Sequence, residues 1–120
     1  MKIAISTKDT DLDSLVDPRF GRAQSFVLLD TDSGESTGHN NAVNLNALQG
    51  SGVQAAQSII RLGADIVLTG HIGPKAFSTL QAAGVNIHTG ISGTARDAVE
   101  QWRAGKLEAV DEATVQGHWT

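Results

Sequence analysis

Apolar and polar positions along this chain fall into short blocks whose period switches between two and about three and a half. Across Lys2–Thr7, Ile3 and Ile5 alternate with smaller residues, as in an inner strand, and Phe26 to Leu29 form a second apolar run inside Ser25–Asp30. Asp32-Ser-Gly34 is a turn signal, so a polar third strand near Glu35 to Asn41 is expected at a sheet edge. Between Asn40 and Gly50 no period is visible, and the segment reads as a loop. Ser51 followed by Gln54 has the spacing of a capping box, and Val53, Ala56, Ile59 and Ile60 make a helical stripe that stops at Gly63.

Ile66, Val67 and Leu68 are a compact apolar run suited to a strand covered on both faces. Gly70 and Gly73 then bracket His71, and Pro74 stands where a first helical residue would lie, with no N–H to leave unsatisfied. Phe77, Leu80 and Ala83 mark the inner face of a second helix ending at Gly84, and Val85 to His88 is a short fifth strand. Thr94 with Asp97 forms another capping-box pattern, and Ala95, Ala98, Val99 and Trp102 face one way before Gly105 closes a third helix. From about residue 108 through Trp119 the chain reads as a surface tail.

The predicted order is β-β-β-α-β-α-β-α, an open α/β sheet with an antiparallel meander first and right-handed parallel crossovers after it. With the fourth strand against the first, the five-stranded mixed sheet takes the order 3-2-1-4-5, with strand 2 antiparallel. Ligands of open α/β sheets gather at such a switch point, beyond the carboxyl ends of the strands. Here those ends supply Ser6-Thr-Lys8, Thr69-Gly-His71 and His88-Thr-Gly90.

Composition narrows the chemistry. The 120 residues, 40% of them hydrophobic, suit one domain over 1–120. Without a charged-then-apolar leader or a long apolar run, a cytoplasmic address and no membrane partner are expected. Nine basic residues against thirteen acidic ones argue against a protein that coats nucleic acid. Cysteine is absent, which removes thiolate nucleophiles and the usual ligands of zinc and iron–sulfur sites. No phosphate-loop, dinucleotide-binding or nucleophile-elbow motif occurs, so the chain reads as poor in catalytic machinery.

Several positions could hold an anion. In Asp17-Pro-Arg-Phe-Gly-Arg-Ala23, Arg19 and Arg22 flank a Phe-Gly turn, where Phe20 packs beneath and Gly21 lets the backbone approach. The alternative is that one arginine pairs with Asp17 and Phe20 only pins the loop. His71 is a candidate metal or anion contact, or else a histidine that hydrogen-bonds its own loop. His88 reads as a satisfied, half-buried histidine, while His39 and His118 read as surface residues. The carboxylates Asp9, Asp11, Asp13 and Asp17 lack the spacing of a calcium loop and read as a solvated acidic loop.

Three stretches together resemble the nitrogenase accessory-factor family, whose members share the domain associated with iron–molybdenum cofactor biosynthesis. They are Asp17–Ala23 leading into Phe26, Gly52-Val-Gln-Ala-Ala-Gln57, and Gly63 through Phe77. The resemblance implies a three-layer α/β/α, ribonuclease-H-like fold without ribonuclease H chemistry. It also implies a carrier of metal–sulfur clusters rather than an enzyme, closest to the small stand-alone members that hold a molybdenum–copper sulfide cluster without covalent attachment. Such a cluster is a polyanion with its own soft ligands, which suits a cysteine-free chain. Arg19, Phe20, Gly21, Arg22, Thr69, Gly70, His71, Ile72, Gly73 and Lys75 are its expected pocket, with His71 the candidate metal ligand. The resemblance also admits a regulatory or assembly module that docks a P-loop ATPase of the MinD type.

Overall fold

The computed structural model describes residues 1–45 and 50–111, except the side chains at 43 and 45. Its elements run β1 (Lys2–Thr7), β2 (Ser25–Asp30), β3 (Ser36–Asn40), α1 (Ala42–Leu45), α2 (Ser51–Arg61), β4 (Ile66–Thr69), α3 (Pro74–Ala82), β5 (Asn86–Thr89), α4 (Ala95–Arg103) and β6 (Glu108–Ala109). The sheet order is β3-β2-β1-β4-β5-β6. β1 pairs antiparallel with β2, from Lys2↔Asp30 to Thr7↔Ser25, and parallel with β4, from Ile3↔Ile66 to Ile5↔Leu68. The switch point expected from the sequence therefore lies between β1 and β4.

Alternation within the strands builds the three layers. Ile3, Ile5, Val27, Leu29, Ile66 and Leu68 point to one face and pack under Ala95, Ala98 and Val99 of α4. Ala4, Phe26, Leu28, Val67 and Ile87 point to the other face, where Ala55, Ala56 and Ile59 of α2 and Ala76, Phe77 and Leu80 of α3 cover them. The helices end as their glycines require: Gly63, Gly84 and Gly105 each hold a left-handed φ, of 85°, 78° and 71°. Gly34, at φ 78°, completes the β2–β3 turn, where the Asp30 amide donates to the Glu35 carbonyl at 2.9 Å.

Four expectations need correction. The sheet has six strands rather than five, because Thr89↔Glu108 and His88↔Ala109 add a two-residue antiparallel strand inside the segment read as tail. The Val110 amide donates to the Ile87 carbonyl at 2.9 Å, and the Val110 side chain packs onto the core, which holds this short edge in place. The segment read as a loop after Asn40 contains one helical turn, α1. The Ser51–Gln54 capping box does not form, because the N-cap is Gly50, in the left-handed region at φ 73°, and Ser51 is already the first helical residue. Finally, Ala83 is exposed at the end of α3, whose inner stripe is Ala76, Phe77 and Leu80. Residues 112–120, with His118 and Trp119, lie outside the described residues.

Candidate functional site

The carboxyl ends of β1 and β4 are closed over by the chain between Lys8 and Ala23. Its first half is tied to the start of α4: the Val16 amide donates to the Gly93 carbonyl, and the Ala95 and Arg96 amides donate to the Ser14 and Leu12 carbonyls, each at 2.9 Å. Its second half is tied to the switch point. The Asp17 amide donates to the Ser6 carbonyl at 2.9 Å, and the Ser6 hydroxyl donates back to the Asp17 carbonyl at 2.6 Å. Ser6 Oγ also lies 2.9 Å from Thr69 Oγ1. Because the single Ser6 proton is already directed at Asp17, Thr69 is the donor of that second bond.

From this anchor the arginine loop zips onto the glycine–histidine turn. The His71 amide donates to the Pro18 carbonyl at 2.6 Å, and the Phe20 amide donates to the His71 carbonyl at 3.1 Å, which sets Arg19 beside His71 as in a parallel ladder. Gly70 permits the approach. A Cβ at that position would lie 2.6 Å from the Pro18 carbonyl oxygen and 2.8 Å from Pro18 Cα. Thus a glycine that reads in sequence as a turn residue is required here for the close packing of two backbones.

The ten expected pocket residues separate into two depths. Arg19, His71 and Lys75 are exposed and Arg22 is partly so. Gly70 is partly exposed at the seam, whereas Gly21 and Gly73 are buried. Phe20 and Ile72 are each only 1% exposed and belong to the core under α2 and α3, so they lie behind the corner rather than on its surface. Phe20 instead stacks at a tilt on Phe26, with ring centroids 5.3 Å apart. Thr69 is fully buried and spends its hydroxyl on Ser6. Both contacts of the alternative reading of the loop are present: Phe20 is packed beneath it, and Arg19 Nε pairs with Asp17 at 3.7 Å. Arg22 and Lys75 make no ion pair among the described residues.

Beyond the loop, α3 begins with Pro74 after the extended N-cap Gly73, and no side chain caps it among the described residues. The Lys75 and Ala76 amides receive no partner among the described residues, so the positive end of α3 opens beside His71 and Lys75. This corner joins exposed cations to backbone donors, which is the chemistry of anion binding.

The other candidates do different work. The Asp9 and Asp11 carboxylates accept from the nearby Thr10 and Asp13 amides, Asp13 pairs with Arg96 at 3.2 Å, and Asp17 alone is buried. Among the described residues no three His, Asp or Glu side chains converge to hold a metal ion. His39 Nε2 lies 2.8 Å from the Thr37 hydroxyl. His88 is half-buried as expected, but its Nδ1 is buried without a hydrogen-bond partner among the described residues, and desolvation lowers its pKa below the usual 6.5. It contributes to a cleft of about 450 Å³ with Phe77, Gln81, Asn86, Val110 and Asp111, which shares no residue with the corner. No helix among the described residues is long and apolar enough to cross a membrane.

Sequence reading placed Ser6 at the switch point and Asp17 beside the arginines but took Asp17 for part of a solvated acidic loop, whereas it is buried. Asp17 accepts the Arg19 amide on Oδ1 at 3.2 Å, a turn that the Asp-Pro-Arg order could have signalled.

Comparison with known proteins places these observations. A family model described as dinitrogenase iron-molybdenum cofactor matches residues 1–105. The structure of the apo form of the orange protein from Desulfovibrio gigas superposes with a TM-score of 0.91 at 37% identity, covering 95% of this chain and 96% of that one. A NifB candidate of the DUF35 family from Thermotoga gives a TM-score of 0.83 at 32% identity, covering 95% and 97%. An uncharacterised protein of Methanocaldococcus jannaschii is 27% identical over 110 residues, 90% of each chain.

Proposed function

We propose a function from one premise: the chain belongs to the dinitrogenase iron-molybdenum cofactor family. Within that family the protein is a non-catalytic carrier that holds an anionic metal–sulfur cluster non-covalently, with a molybdenum–copper sulfide cluster as its cargo. The observation that carries this reading is the backbone seam between Pro18–Phe20 and His71, which sets the arginine loop beside the uncapped start of α3.

The residues present fit such a cargo. A bare metal ion needs several protein ligands, and the described residues gather no set of three. A sulfide-bridged cluster completes its metals' coordination with its own sulfur and asks the protein for positive potential and N–H donors. Arg19 and Arg22 supply charged donors on one side of the seam. Lys75 and the amides that open α3 supply the other. His71 lies between them, exposed on the same seam, and is the candidate imidazole contact at the cluster's edge. The likeness to an orange protein solved in its apo form supports a chain that exists with and without its cargo.

Retention of cargo tests this directly. The protein is mixed with tetrathiomolybdate and copper(II), desalted, and read by visible absorption and elemental analysis. The Arg19→Ala, Arg22→Ala, Lys75→Ala triple variant should lose most of the colour that wild type keeps, and unchanged retention refutes the corner. Should native protein instead be colourless and co-purify with a P-loop ATPase, the assembly-module reading takes its place.

A further inference from the structure

We infer that Asp17 is a positioning residue for anion binding, orienting the Arg19 guanidinium from a point fixed to the sheet. The inference rests on the carrier reading above and adds to it a residue that would not itself touch the cargo.

Asp17 is unlike the other carboxylates of its loop. Asp9, Asp11 and Asp13 are exposed, whereas Asp17 is 3% exposed. Burying a carboxylate is costly unless hydrogen bonds and a counter-charge accompany it. Arg19 provides both, donating its backbone amide to Oδ1 at 3.2 Å and bringing Nε to 3.7 Å from the same oxygen. Behind the carboxylate, the Asp17 peptide is clamped on both sides by Ser6, and Ser6 is clamped by Thr69. Ser6 and Thr69 are fully buried, on β1 and β4 respectively. A continuous set of hydrogen bonds therefore runs from the two strands of the switch point to the base of Arg19.

The outer end of that set is open. The Arg19 side chain is 46% exposed, its ion pair is made through Nε, and neither Nη has a partner among the described residues. The two-nitrogen end of the guanidinium is thus uncommitted while Nε stays within ion-pair distance of the Asp17 carboxylate. An unrestrained arginine gives up rotamer freedom when it is fixed. Holding Nε in advance moves part of that ordering out of the binding step. A buried negative charge near an anion opposes binding, so the net effect is favourable only if orientation outweighs repulsion.

A double-mutant cycle separates those terms. Titration with tetrathiomolybdate and copper(II), followed by visible absorption, gives an apparent Kd for wild type, Asp17→Asn, Arg19→Ala and the double variant. Asparagine keeps the Oδ1 acceptor for the Arg19 amide and removes the charge. Binding should weaken about tenfold in Asp17→Asn, equal to roughly 1.4 kcal/mol, and not at all when Asp17→Asn is added to Arg19→Ala. An equal loss in both backgrounds overturns the inference. Arg19→Lys keeps the charge on an exposed side chain but lacks Nε and the planar fork, so it should bind nearly as weakly as Arg19→Ala; wild-type binding overturns the inference even where Asp17→Asn does not fold. Without any cargo, the Arg19 Nε–H signal in proton–nitrogen NMR spectra should be resolved in wild type and averaged in Asp17→Asn, and an unchanged signal overturns it. A wild type that retains no cargo while this NMR difference persists refutes the carrier reading and leaves the Asp17–Arg19 orientation standing.

Discussion

Helices α3 and α4 both begin just beyond the carboxyl ends of parallel strands, yet their first turns are treated in opposite ways. At α4 the chain satisfies its own amides. Thr94 Oγ1 accepts the Asp97 amide at 3.1 Å, Asp97 returns an acceptor to the Thr94 amide at 3.0 Å, and the Ala95 and Arg96 amides are taken by loop carbonyls. At α3 a glycine and a proline stand where those caps would be, and among the described residues no side chain closes the turn. A helix start needs its donors satisfied by something. Where the sequence does this itself, the end is structural, and where it leaves donors beside arginine, histidine and lysine, it is suited to an anion. The same loop serves both ends, its first half covering α4 and its second half bringing Arg19 to His71.

The largest effect that would break this contrast is expected at Gly70. In Gly70→Val a Cβ would intrude to 2.6 Å on the Pro18 carbonyl oxygen, the acceptor of the His71 amide, so the two backbones cannot both keep their places. Stability should fall by roughly 2–3 kcal/mol, read from the urea midpoint, because the obstacle is main chain rather than a mobile side chain. Cargo retention should fall with it. A variant of unchanged stability and retention would show that the seam is not what joins the arginine loop to α3. Thr94→Ala comes next and acts on the other helix. Losing the cap hydroxyl should cost about 1 kcal/mol with retention intact. Loss of retention there would erase the distinction between a structural and a binding helix start.

How much of this contrast could be read from the sequence depends on how local its causes are. Thr94 and Asp97 declare their box three residues apart, and Pro74 after Gly73 declares an uncapped start, since each rule involves one turn of chain. The alternation of Ile3 and Ile5 and the positions of Gly63, Gly84 and Gly105 were legible for the same reason. Depth was not. Phe20 lies between two arginines in a polar loop, and its packing beneath the turn was legible but not its depth: Phe26 and the underside of α2 and α3 draw it into the core. Asp17 looks like the last member of an acidic run, and only the return of the chain onto Ser6 buries it. Ser51 failed as a cap because the helix began one residue earlier than its hydroxyl would need, a register set by Gly50. β6 is two residues long and exists because β5 offers an edge, so no periodicity could have signalled it.

The smallest expected effect sharpens the contrast through pH. Asp97 has its pKa lowered from the ordinary 3.8, first by the hydrogen bond from the Thr94 amide and then by the Thr94 side chain, with slight desolvation opposing. In the unfolded chain this carboxyl takes up its proton at a higher pH than in the fold. The stability it contributes is therefore fully present above the unfolded value and is lost as pH falls through the folded one. The start of α3 has no titratable cap, so acid should loosen α4 first. Asp30 is lowered as well, by the Asp32 and Ser33 amides, so the wild-type melting curve alone mixes two groups. The difference between wild type and Asp97→Asn isolates one of them. Melting temperatures followed from neutral down to about pH 3 should converge as acid removes the charge that the variant already lacks. Parallel curves would mean that the carboxylate charge does not hold the start of α4, and that the difference between the two helices lies in the loop carbonyls and the Thr94 hydroxyl.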